Sequence, residues 1–116
     1  MTKDELKKRA KEFAHRCLDV VDSLPGKTSA RVLGNQLARS ATSVGANYRA
    51  ACRARSKPEF IAKIGIVEEE ADESQFWLEM VDEKKLVPPR RLNLLIEEAS
   101  EITAIMAASR KTARQG

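Results

Sequence analysis

One histidine, two cysteines, one tryptophan, one tyrosine and three phenylalanines are all that 116 residues hold of the side chains most used for metal binding, cross-linking and stacking. Each scarcity excludes something. A di-metal carboxylate centre in a helical bundle needs two Glu-x-x-His pairs and two further inward carboxylates. Glu12-x-x-His15 occurs once here, so the acidic run Glu68, Glu69, Glu70, Asp72 and Glu73 has no second histidine to complete a site. His15 reads instead as a surface or boundary residue. A nucleophile activated by a histidine fails for the same reason, since Ser40 and Ser43 have none near them in sequence. There is no glycine-rich phosphate loop; Gly34 and Gly45 fall inside a helical pattern and read as points of close helix packing. The expected catalytic, cofactor-binding and metal-ligating residues are therefore none, and no cofactor is expected. Cys17 and Cys52 each lie in an apolar helical stripe, and both read as reduced core thiols rather than a disulfide.

Long apolar runs are missing too. The longest uncharged stretch, Ser40 to Tyr48, is far short of the roughly 20 residues that span a bilayer. The opening MTKDELKKRAKEF is charged throughout and lacks the apolar segment of a signal peptide. These features predict a cytoplasmic protein with no membrane partner. Period-two alternation of β-branched residues is absent, so no strand is expected.

What is present is helical. Apolar residues recur at three- and four-residue steps in four segments, about 3–24, 29–55, 57–83 and 89–110. Pro25-Gly26 stops the first, with Thr28 or Ser29 as the next N-cap. Ser56 and Glu59 can form a capping box with Pro58 in the first turn. Pro88-Pro89 opens the last helix, and the tail from Lys111 is expected to fray. Short links between long helices predict one all-α domain over 1–116, an antiparallel up-down-up-down four-helix bundle.

The second helix organises the chain. Ala30, Leu33, Leu37, Ala41, Val44 and Tyr48 form its buried face; Arg31, Asn35, Arg39, Arg49 and Arg53 form a basic ridge; Gln36, Ser40, Ser43 and Asn47 form a polar seam between them. Residues 27–58 carry seven basic groups and no acidic one, whereas residues 59–83 carry nine acidic groups and one basic. Such segregation is first an instruction for pairing. The ridge could face solvent, pair with Glu69 and Glu73 across a helix or subunit boundary, or touch phosphates. The specific expectation is that Arg49 or Arg53 reaches Glu69 or Glu73. The seam could be solvated; if buried, it must be hydrogen-bonded to helix-three carboxylates or backbone carbonyls.

Helix three is apolar on two sides. Phe60, Ile64, Val67, Ala71, Leu78 and Val81 form one stripe; Ala62, Ile66, Phe76, Trp77 and Met80 form another, shared with Glu69 and Glu73. The second stripe is either Trp77 packing on a neighbouring helix's flank or, as we expect, a subunit interface. Positive charge left after helix two meets helix three collects in two places. Lys84, Lys85, Arg90 and Arg91 lie at the link to helix four, and Lys7, Lys8, Arg9 and Lys11 near the start of helix one. Neither cluster has an aromatic platform, so non-specific phosphate contact without base stacking is the expectation.

The segment Arg39 to Met80, RSATSVGANYRAACRARSKPEFIAKIGIVEEEADESQFWLEM, resembles the four-helix bundle family of proteins encoded in intervening sequences of large-subunit ribosomal RNA genes. Arg39, Ser43-Val44, Asn47-Tyr48, the turn from Ser56 to Phe60, Glu73-Ser74 and Trp77-Leu78-Glu79 carry the likeness. Family members often place a glutamate soon after the Asn, where this chain has Ala50 and Ala51. The resemblance implies a homopentameric ring, and a related accessory protein of diversity-generating retroelements is a basic pentamer that binds nucleic acid and a reverse transcriptase. It thus implies self-association as a ring of five, with RNA, DNA or a protein as a further partner. The functional expectation is a non-enzymatic oligomeric scaffold that binds nucleic acid through basic rims; the alternative is a protein–protein adaptor whose charges serve only assembly.

Overall fold

The computed structural model describes residues 1–116. Its α-helices are Lys3–Asp22 (α1), Thr28–Cys52 (α2), Lys57–Glu83 (α3) and Asn93–Gln115 (α4), with a 3₁₀ turn at Pro89–Arg91 leading into α4 and no strand. Gly34 lies against Val21 and Leu24 while Gly45 lies against Ala10 and Lys11, so α2 runs antiparallel to α1. Packing follows chain order, α1 on α2, α2 on α3 and α3 on α4, and the contact that closes the ring, α1 on α4, is thin. The result is a rod of 47 × 20 × 19 Å, its length set by α3, whose 27 residues rise about 40 Å at 1.5 Å each.

The heptad-like apolar spacing is satisfied by one core drawn from every helix. Phe13, Leu37, Val44, Ile64, Leu78, Ile102 and Met106 are fully buried in it. Cys17 is buried and Cys52 half-buried, and both are free. Burial pushes the Cys17 thiol up to about 12, so it stays protonated and packs as a small apolar group.

Helix ends differ from the sequence reading where local bonding decides. A Thr2–Glu5 capping box starts α1, and Ser23 ends it by donating to the Val20 carbonyl at 2.7 Å, one residue short of Leu24. At α2 the N-cap is Lys27, with no side-chain cap bond. Ser56 does accept from the Glu59 amide at 3.2 Å, but the Glu59 carboxylate takes the Arg55 amide at 2.9 Å instead of returning to Ser56. The last helix begins at Asn93, not Pro89, because the diproline makes a 3₁₀ turn first. It continues to Gln115, beyond the expected end at 110, with Arg110 tied to Glu68 at 2.8 Å.

Candidate nucleic-acid interface

Charge distribution on this rod is decided by which carboxylates are already occupied. On the α2–α3 seam, Arg39 donates to Glu70 at 3.1 Å and to Glu73. The Trp77 indole N–H donates to the same Glu73 oxygen at 3.1 Å. Burial works against the charged form of Glu73, but the hydrogen bonds from Trp77 and with Glu70, and the charge of Arg39, hold its pKa below the usual carboxylate range. Beneath this cluster Ser74 Oγ lies 2.8 Å from both Ser40 Oγ and the Glu70 carbonyl, with both serines buried. The polar seam of α2 is thus part core, part surface. Asn47 folds back on its own helix, donating to the Ser43 carbonyl at 3.0 Å and hydroxyl at 2.8 Å.

Arg49 and Arg53 do not make the ion pairs expected of them, and Glu69 makes none; it is Arg39 that reaches Glu73. Geometry explains the correction. Ser40 beside Ser74 sets the register of α2 on α3, and ten residues from Arg39 to Arg49 is about 15 Å of rise. Antiparallel packing carries Arg49 away from Glu73, toward the level of Lys63. Arg9 is a second correction. It leaves the proposed cluster on α1 and crosses the thin α1–α4 seam, its guanidinium forked on Glu98 at 2.7 and 2.6 Å with Glu101 at 3.4 Å. Glu98 raises its already high pKa further. Such a forked pair is committed to structure.

The second apolar stripe of α3 divides. Trp77 and Met80 are half-buried against the core, so Trp77 packs on the bundle's flank, with Phe76 edge-on to it at 4.9 Å between ring centroids. Phe76 is 49% exposed and Ile66 38% exposed; these, with Ala62, remain outside.

Several of the cations left over collect on one basic face. Lys7, Lys11 and His15 from α1 stand across a groove from Thr42, Ala46 and Arg49 of α2. Arg49 and Ala46 are shared with the neighbouring hollow, which adds Arg53, Arg55 and Lys63 and a single acid, Glu59. Lys7 has only the almost fully exposed Asp4 at 3.8 Å, and the other cations form no ion pair. Lys8 is exposed nearby. Lys84, Lys85, Arg90 and Arg91 are all exposed and unpaired at the opposite end of the rod. Sequence reading found Lys7, Lys11, Arg49 and Arg53 but not that they share a face, and it passed over His15, Arg55 and Lys63. The four-residue step Lys7–Lys11–His15 on α1 was the available signal. No group of three or more His, Cys, Asp or Glu side chains converges as a metal site would require, and no helix is long and apolar enough to cross a membrane.

Comparison with known proteins agrees with this architecture. No curated protein matches the chain. A solved structure from Bacteroides thetaiotaomicron VPI-5482, described as a protein with unknown function from the S23 ribosomal protein family, superimposes with a TM-score of 0.87 at 30% identity, covering 96% of this chain and 99% of that one. The family model described as 23S rRNA-intervening sequence protein matches residues 2–108. With the four-helix fold and nearly the whole chain inside that match, this protein belongs to the 23S rRNA-intervening sequence protein family.

Proposed function

We propose that this chain is a non-enzymatic, cytoplasmic, self-associating scaffold that binds nucleic acid through unneutralised positive charge and without reading sequence. One observation carries the reading. Glu68, Glu70, Glu73, Glu98 and Glu101 are taken up by Arg110, Arg39 and Arg9, while the groove and hollow lined by Lys7, Lys11, Arg49, Arg53, Arg55 and Lys63 hold a single acid, Glu59. A surface of that kind attracts phosphates and releases counterions from them. In a ring, expected to hold five copies, the same face and the Lys84–Arg91 cluster repeat around the assembly, and modest local charge becomes multivalent.

A specific feature favours a second reading, the protein–protein adaptor. Val32, Ile66 and Phe76 are exposed apolar side chains on α2 and α3, and the unpaired arginines could meet the free acids Glu69 and Asp72 of another copy. The two readings separate in one experiment. Labelled RNA and duplex DNA are titrated at several salt concentrations against the wild type, Arg49/Arg53/Arg55→Gln, and Lys84/Lys85/Arg90/Arg91→Gln. The scaffold reading expects binding that weakens steeply with salt, with a log–log slope reduced by roughly 0.7–0.9 for each phosphate contact removed. Absence of binding at low salt, with the arginine variant losing its assembly instead, would hand the case to the adaptor.

A further inference from the structure

The groove between α1 and α2 has two chemically different halves. Its volume is about 540 Å³, within the range of roughly 300–1,000 Å³ typical of small-ligand sites. Lys7, Lys11, Ala14, His15 and Leu18 share one side of α1 and span about 16 Å of rise. Against them α2 offers Arg49 at one end, Ala46 and Gly45 in the middle, and Thr42 at the other. The antiparallel register that sets Gly45 beside Lys11 puts Arg49 level with Lys7 and Thr42 level with Ala14. One half therefore holds three cations and no acid. The other holds Ala14, Leu18 and the imidazole of His15, an exposed ring one turn beyond Lys11.

A duplex would use only half of this. Its phosphates could meet Lys7, Lys11 and Arg49, but its bases stay stacked and paired, and the apolar half would face nothing. An unstacked nucleotide uses both, because every base has a π-face that an aromatic ring can stack on, histidine included. We propose that the α1–α2 groove receives one splayed nucleotide of a single strand, its phosphate among Lys7, Lys11 and Arg49 and its base against Ala14, His15 and Leu18. This rests on the nucleic-acid reading above and adds to it a preference that charge alone does not give. Gly45 lies in the middle of the groove, against the backbone of Ala10 and Lys11.

The test compares a labelled 20-nucleotide single-stranded RNA with a 20-base-pair RNA duplex, at two salt concentrations. Proteins are the wild type, His15→Ala, His15→Phe and Ala46→Phe, all changes at exposed positions, with folding checked by thermal melting. The wild type should prefer the single strand. His15→Ala should weaken single-strand binding by roughly five- to 150-fold, the range that loss of one stacking platform brings, and leave duplex binding unchanged. His15→Phe should restore the preference, and Ala46→Phe, which fills the groove, should abolish it. Equal binding of both forms by the wild type, or a preference that survives His15→Ala and Ala46→Phe, overturns this inference while the nucleic-acid reading stands. Binding of neither form overturns both.

Discussion

Arg9 stands on α1 among lysines that look alike in sequence, yet it alone is committed to a carboxylate. Its forked bonds to Glu98 cross the least packed seam of the bundle, where few other contacts hold α1 to α4. Arg9→Ala should therefore cost about 1.5–3 kcal/mol, seen as a lower denaturant midpoint, while Lys8→Ala should be close to neutral. Glu73 gives a pH signature. Its folded-state pKa is depressed, so the stability it contributes is present above the unfolded carboxylate value and is lost as pH falls through the lower folded value. Glu73→Gln should flatten the acid limb of the stability profile relative to wild type, and an unchanged limb would remove Glu73 from the account. These pairings were only partly legible. Helical phase put Arg39, Arg49 and Arg53 on one ridge of α2 and Glu69 and Glu73 on one side of α3, but phase carries no information on the axial register between helices. That register comes from two small buried serines, Ser40 and Ser74, which the charges do not reveal.

Among the helices, α3 and its exit show most clearly what sequence does and does not carry. Its start at Lys57 and end at Glu83 were both legible, from Ser56-Lys57-Pro58-Glu59 at one end and the break in apolar spacing at the other. Its exit was not. Lys84 ends the helix, Leu86 donates to the Val81 carbonyl at 3.2 Å and Lys85 to Asp82 at 2.9 Å, the pattern of a Schellman motif. The residue at its left-handed position is Lys85, with φ 56°, where glycine is usual. Lys85→Gly should raise stability by about 0.5–1 kcal/mol, the left-handed penalty less glycine's own entropy, measurable by chemical denaturation. A destabilised variant would mean the lysine side chain packs in a way its exposure conceals. The double apolar face of α3 was legible as a pattern. Its division into a packed Trp77 and an exposed Phe76 was not, because residues adjacent in sequence differ by about 100° around a helix and only Trp77 packs against the core.

For the whole molecule, the fold followed from four long amphipathic segments and short links, and the family from the residues around Ser43-Val44, Asn47-Tyr48 and Trp77. The candidate site was less accessible, since it depends on which charges the fold leaves over. The account holds that a subunit with a basic α1–α2 face and exposed Ile66 and Phe76 assembles with copies of itself and then presents that basic face repeatedly. The mass in solution, measured by light scattering on the wild type and on Phe76→Glu and Phe76→Ala, before and after addition of RNA at low salt, tests this most directly. The account predicts a wild-type assembly of several 12.9 kDa chains, five by the family resemblance, that gains the mass of bound RNA without dissociating. Both variants should shift toward smaller species while their helical content is retained, since truncating an interface aromatic commonly costs about 2 kcal/mol or more. A wild type that stays at the mass of one chain, with RNA and without it, would contradict the account.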